Sequence, residues 1–248
     1  MKIICSGICD KGLIREKNQD FIYINLCDKQ DMGLFVIADG IGGCANGEIA
    51  SKIVTNRLKE WSENFEEVIF DYDFRKMMQN LEKKIIEINL EIYNMFNQSQ
   101  ICGSTCVLLF IYRKNYGIIH VGDSRIYVKD KWKLKSLMKD NVWENKIDVR
   151  ESMSLKEIVT HANYGKLLEA VGIKENILFS TRTDQLKKGD TFLMCSDGLY
   201  KYCPKRYMVQ NIMIISESNI NEAVKKLLKK CYSVGAKDNI SIIIVKCI

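Results

Sequence analysis

The chain has 248 residues, 47% hydrophobic and 27% charged, so it can bury a sizeable core and is not a disordered segment. Its net charge of +6 and pI near 8.7 are modest and its lysines scattered, which argues against the massed basic stripe of a nucleic-acid binder. Ten dispersed cysteines, none in a C-x-x-C pair, read as small apolar residues of a reduced cytoplasmic protein rather than as a disulfide or zinc framework. No apolar run reaches membrane-spanning length, and Met1 to Gly7 is too short for a signal peptide.

Residues 2–10 and 21–27 are rich in Ile, Cys, Phe and Tyr and read as two strands, with a third at 33–38. From Glu48 the period lengthens, and Ile49, Ile53, Leu58, Trp61 and Phe65 are expected on one face of a helix. A second amphipathic helix carries Phe74, Met77, Leu81, Ile85, Ile88, Ile92 and Phe96 toward a core. Strands at 106–112, 116–121, 125–128 and 132–135, with turns at Lys114-Asn115 and Asp130-Lys131, are expected to form one antiparallel meander. Residues 139 to about 176 are the least patterned, an excursion with a helix at 154–160. Strands return at 177–181 and 191–195. Helices follow at 206–215 and from Asn219, whose pairing with Glu222 has the form of a capping box, to Tyr232; the last strand is 240–245. With one proline and no Pro- or Gly-rich linker, this order argues for an α+β chain, sheets covered by helices, in a single domain spanning 1–248.

Four apolar runs carry an aspartate at one end: Asp39 after 34–38, Asp123 after 118–122, Asp197 after 192–196, and Asp238 just before 240–245. Strand ends that deliver carboxylates gather the hard oxygen donors divalent cations take, so a metal-dependent enzyme is the leading reading. In Asp39-Gly40 and Asp197-Gly198 a residue without Cβ stands where the strand breaks, which lets a backbone carbonyl approach an ion. Either pair alone signals only a turn.

Order and context add more. Arg15 with Asn18-Gln19-Asp20, Asp39-Gly40-Ile41-Gly42-Gly43, Gly103-Ser104-Thr105, Val121-Gly122-Asp123-Ser124-Arg125, Cys195-Ser196-Asp197-Gly198-Leu199 and Lys237-Asp238-Asn239-Ile240 together resemble the metal-dependent serine/threonine phosphatases of the PP2C (PPM) family, above all its bacterial members. The resemblance implies a four-layer α-β-β-α sandwich with two central antiparallel sheets. It also implies hydrolysis of phosphoserine and phosphothreonine in proteins by a metal-activated water at a binuclear Mn2+ or Mg2+ centre. Asp39 would bridge the ions, the Gly40 carbonyl would bind the second, and Asp197 and Asp238 would complete the shell of the first. Asp20 would stand behind them, bonded to their waters. Asp123 would help hold a third, weaker ion, and Arg15 would grip the phosphoryl group. The implied partners are phosphorylated proteins and a cognate serine/threonine kinase, with no nucleic acid or membrane, for a monomeric enzyme.

The chain departs from the family pattern at Gln19, where many relatives have glutamate, and at Ile41 and Cys44, where relatives of different branches carry histidine. Residues 139–176 align with the family's flap. There His161 resembles the flap histidine, while Asp140-Asn141-Val142 replaces Asp-His-Ser or Asp-His-Thr, leaving a substrate-handling residue absent. His120, between Ile119 and Val121, reads as a core histidine. Two other readings stand beside this one. A pseudophosphatase on the same fold would bind phosphoproteins without turnover. Cys9 to Arg15 also fits the C-x-x-G-x-x-R skeleton of a cysteine-dependent phosphatase, but Asp10 would place a negative charge inside its phosphate cradle.

Overall fold

The computed structural model describes residues 1–27, 31–41, 46–68, 73–96 and 102–248. Among the described residues, ten strands form two five-stranded antiparallel sheets. The first contains β1 (Ile3–Asp10), β10 (Ile240–Cys247), β9 (Thr191–Cys195), β6 (Arg125–Asp130) and β7 (Lys133–Ser136), in that spatial order. The second contains β2 (Asp20–Cys27), β3 (Met32–Asp39), β4 (Cys106–Tyr112), β5 (Asn115–Val121) and β8 (Ser180–Gln185).

The inner strands β3, β4, β5, β9 and β10 read as largely apolar runs because both of their faces are buried. In β3 and β4, Phe35, Ile37, Val107, Leu109 and Ile111 point between the sheets, where they meet Phe192, Met194, Ile243 and Val245 of the other sheet. Alternate residues Leu34, Val36, Ala38, Cys106, Leu108 and Phe110 face outward onto helices α1 (Gly47–Val68) and α2 (Phe74–Phe96). On the far side Leu193, Cys195, Ile240, Ile242 and Ile244 pack against α6 (Lys205–Met213) and α7 (Ile220–Tyr232). This is the expected four-layer α-β-β-α sandwich, each sheet burying one set of side chains on its twin and the other on a helix pair.

Several expectations are corrected. In α1 the buried stripe is Ala50, Val54, Leu58 and Trp61, while Ile49 is 44% exposed; the side chain of Phe65 lies outside the described residues. The stretch 106–135 is not one meander, because β4–β5 belong to the second sheet and β6–β7 to the first. The chain changes sheets at Gly122, whose φ of +100° suits glycine and whose absent Cβ would stand 2.7 Å from Thr105 Cγ2. The strand expected at 177–181 is β8, three to four residues later, a polar edge strand whose Thr residues suit a strand but leave no apolar run. Asn219 does not form a capping box: its amide accepts from Ser216 N and donates to Ile214 O. The capping box is at Ser154 and Glu157, opening α4 (Leu155–Thr160), which follows α3 (Ile147–Ser152) in the excursion. Among the described residues no helix is long and apolar enough to cross a membrane.

Candidate metal centre

Both sheets deliver their aspartates to one end of the sandwich. Asp20 opens β2 and Asp39 closes β3, and the two are direct cross-strand partners. The Asp39 backbone is clamped by the start of β4: its N–H donates to Thr105 Oγ1 at 3.0 Å, and its carbonyl accepts from Thr105 N at 2.8 Å and Ser104 Oγ at 3.1 Å. Thr105 Oγ1 also bonds Ser124 Oγ at 2.8 Å, and His120 Nε2 bonds the Ser124 carbonyl at 2.9 Å, so one buried network fixes Asp39 and the turn holding Asp123. His120 is thus the core histidine the sequence indicates.

From the other sheet, Asp197 begins the short helix α5 (Asp197–Tyr200) directly after β9. Gly198 lets that turn press onto the approach to β10, since a Cβ there would stand 1.9 Å from the Asn239 carbonyl oxygen. Asn239 fastens the neighbouring loop: Oδ1 accepts from Gln19 N at 2.8 Å, while Nδ2 donates to the Lys11 and Lys17 carbonyls at 2.8 and 3.0 Å. The loop carries Arg15, whose Nε lies 2.9 Å from Asp238 Oδ1 and whose Nη2 donates to Oδ2 at 3.0 Å.

Asp39, Asp123 and Asp197 line one cavity of about 690 Å³, together with Ile41, Thr105 and Lys201 and with flap residues between 165 and 174. Asp20 sits behind it, 2% exposed; its Oδ2 accepts from Ser196 Oγ at 2.7 Å and its Oδ1 is buried without a partner among the described residues. Burial, with the charge of Asp197, pushes Asp20 up to about 7 and Asp123 to about 6. Burial and then the charges of Asp20, Asp197 and Asp123 hold Asp39 well above the usual carboxylate range. The Arg15 guanidinium is raised by its bond to Asp238, and the charges of Asp197 and Asp39 add to that, which places it within their field. At Lys201, burial works against the charge, but Asp197 and Asp123 outweigh it and its pKa is raised.

Asp20, Asp39, Asp123, Asp197 and Asp238 therefore gather at this end of the sandwich, with Arg15 and Lys201 in direct contact with them and Lys166 and Lys174 also on the cavity wall. This set of hard oxygen donors, with an orphaned carboxylate oxygen behind it, fits divalent ions of the magnesium and manganese class. Among the described residues, no three His, Cys, Asp or Glu side chains already converge on one metal-sized point; Asp39, Asp123 and Asp197 line the cavity, whereas Asp20 is buried behind it and Asp238, paired with Arg15, is not part of its lining.

The sequence pattern of the protein phosphatase 2C family matches residues 15–240. The chain belongs to that family. Among similar proteins, the serine/threonine phosphatase stp of Listeria monocytogenes serotype 4b (strain F2365) is 27% identical over 243 residues, covering 96% of this chain and 93% of its own. The putative protein phosphatase of Mycoplasma genitalium (strain ATCC 33530 / DSM 19775 / NCTC 10195 / G37) is 27% identical over 250 residues, covering 97% and 94%. The structure of Stp1 from Staphylococcus aureus matches with a TM-score of 0.86 at 25% identity, over 100% of this chain and 96% of that one. The catalytic domain of PstP in complex with two manganese ions shares the fold, with a TM-score of 0.79 at 21% identity over 98% and 97%.

Within this PP2C site the departures acquire places. Asn141 grips the sheet-crossing glycine both ways, its Oδ1 accepting from Gly122 N at 2.9 Å and its N–H donating to Gly122 O at 2.7 Å, so it supports the turn beside Asp123. Asp140 holds Arg125 through Nε and Nη2, and the guanidinium lies 3.5 Å over the ring of Tyr200, whose hydroxyl donates to Asp123 Oδ2 at 3.2 Å. His161 is stacked on Trp143, ring centroids 4.1 Å apart, and its Nδ1 accepts from Asn163 N at 3.1 Å; the flap lines the cavity with Lys166, Leu167 and Leu168 instead. Ile41 is part of the cavity wall, Gln19 offers its carbonyl to Gly40 N at 3.0 Å, and Cys44 lies outside the described residues. Cys9 sits in β1, its Sγ donating to the Asp20 carbonyl at 3.3 Å, and burial raises its pKa, so a thiolate nucleophile there is disfavoured. Tyr200, Lys201 and Asn239 had no individual role in the sequence reading; the i to i+4 spacing of Asp197 and Lys201 was the available signal for one of them.

Proposed function

We propose that this PP2C-type phosphatase hydrolyses phosphoserine and phosphothreonine in proteins at a binuclear Mn2+ or Mg2+ centre. The observation that carries the reading is the convergence of Asp39, Asp123 and Asp197 from two sheets onto one cavity, with the buried carboxylate of Asp20 directly behind it. Asp39, the Gly40 carbonyl, Asp197 and Asp238 would hold the two ions, which would supply a hydroxide nucleophile near neutral pH and offset charge at phosphorus.

The remaining work falls to side chains. Asp20, buried behind Asp39, orients the water around the site through its unpartnered Oδ1. Arg15, paired with Asp238 through Nε and Nη2 in this structure, would offer its guanidinium to phosphoryl oxygens once Asp238 serves an ion. Ile41, Leu167, Leu168 and Ile173 exclude bulk water around the phosphorylated residue. Residues 1–248 act as one catalytic domain with the flap at about 139–176, and the enzyme works as a monomer on substrates phosphorylated by a cognate kinase. Nine described cysteines are free, which supports a reducing cytoplasmic setting.

Hydrolysis of p-nitrophenyl phosphate with added Mn2+ tests this reading. Turnover that disappears with EDTA supports it, and well-folded protein without metal-dependent turnover favours the pseudophosphatase.

A further inference from the structure

The sequence leads to a third divalent ion at Asp123. The structure instead puts a cation of the protein's own in that corner. Asp197 opens α5 and Lys201 caps its end, so the lysine lies four residues on and its side chain returns along the same face. Its Nζ reaches Asp197 Oδ2 at 2.6 Å, the lysine side chain half exposed and the carboxylate 17% exposed, and it lines the same cavity as Asp123.

Asp123 is served as well. Its Oδ2 accepts from Tyr200, the residue next to the lysine, and Tyr200 is locked by Arg125 and Asp140. Both carboxylates that would flank a third ion therefore already have partners from one short stretch, Tyr200-Lys201. A divalent ion entering between them would meet a like charge in a partly desolvated corner and would have to break a charge-assisted bond to reach Asp197 Oδ2.

We propose that the Lys201 ammonium is the resident cation of the Asp123–Asp197 corner, so that this phosphatase takes up two divalent ions and not three. The inference rests on the binuclear reading above and concerns only the corner beside it.

Metal counting by equilibrium dialysis against saturating Mn2+ tests the proposal without reference to activity. The wild type is expected to hold two equivalents, and Asp123→Asn to hold the same two. Lys201→Asp exchanges the resident cation for a further carboxylate and should hold three, a gain that Asp123→Asn cancels in the double variant. Lys201→Met keeps the side-chain length, drops the charge, and should take a third equivalent with weaker affinity. Three equivalents in the wild type, with one lost in Asp123→Asn, would overturn the proposal, as would Lys201→Asp and Lys201→Met both remaining at two. Fewer than two equivalents in the wild type would reject the binuclear reading, and the proposal with it. Two in the wild type and no gain in either lysine variant would reject the proposal alone.

Discussion

Gly198→Ala is a small change with a large expected effect. The new Cβ would stand 1.9 Å from the Asn239 carbonyl oxygen and 2.9 Å from its carbon, both backbone atoms, whereas real Cβ contacts essentially never fall under 3.0 Å. The Asp197 turn and the Asp238-Asn239 segment must therefore separate by about 1 Å, the difference between those two distances. That separation lies between two of the carboxylates assigned to the first ion, and a misplacement of about 1 Å costs on the order of 100-fold in rate. Overpacking of this kind destabilises by about 1–3 kcal/mol, or roughly 2–12 °C in melting temperature at this size. Phosphate release with Mn2+ and a thermal melt on the same preparation measure both effects. Activity and melting temperature equal to wild type would show that the close approach of Gly198 to Asn239 does not set the site.

Further consequences can be checked separately. Arg15→Ala should raise KM for phosphate esters far more than it lowers kcat, because the guanidinium binds the phosphoryl group in ground and transition states alike; an unchanged KM would remove that role. Asn239→Ala leaves the Gln19 N–H and the Lys11 and Lys17 carbonyls without their partner, and urea denaturation should show a loss of about 3 kcal/mol with a raised KM as the Arg15 loop loosens. Metal-free protein should lose stability as pH rises between about 4 and 7, the unfolded and folded values of Asp20. Asp20 binds its proton more tightly folded than unfolded, with a folded value of about 7 against the ordinary 3.8, so its contribution is present at low pH and is lost as pH rises through the folded value. His120, lowered by burial, runs the other way and gains only up to about 6.5, its unfolded value. Melting curves in EDTA should show the slope, and Asp20→Asn should flatten it.

How far the sequence reached depended on whether one side chain's surroundings could be inferred from its neighbours. The aspartate-tipped strands were legible because a double-faced buried strand is a continuous apolar run and a carboxylate at its end has nowhere apolar to go. The polar edge strand β8 carries no such run and was displaced by several residues. Gly122 was read as part of a motif, but its part in moving the chain from one sheet to the other depends on contacts with Thr105 and Asn141 distant in sequence. Ile49 matched the helical period yet faces solvent, since the stripe is set by where β2 and β3 lie against α1 and not by hydrophobicity alone. Asn239 sat inside a recognised motif without a task, because its three backbone partners come from a loop more than two hundred residues away. Asn219 is the opposite case, a local cap pattern overridden by bonds to the preceding turn.

The central claim, that these carboxylates hold ions that activate water for attack on a phosphorylated side chain, is tested most directly by phosphate release from a phosphothreonine peptide across a Mn2+ titration, wild type beside Asp39→Asn. The account predicts release that rises with Mn2+, vanishes in EDTA, and is absent at every Mn2+ concentration in the variant, with the variant still folded by circular dichroism. Release that is indifferent to Mn2+, or that survives in Asp39→Asn, would contradict it.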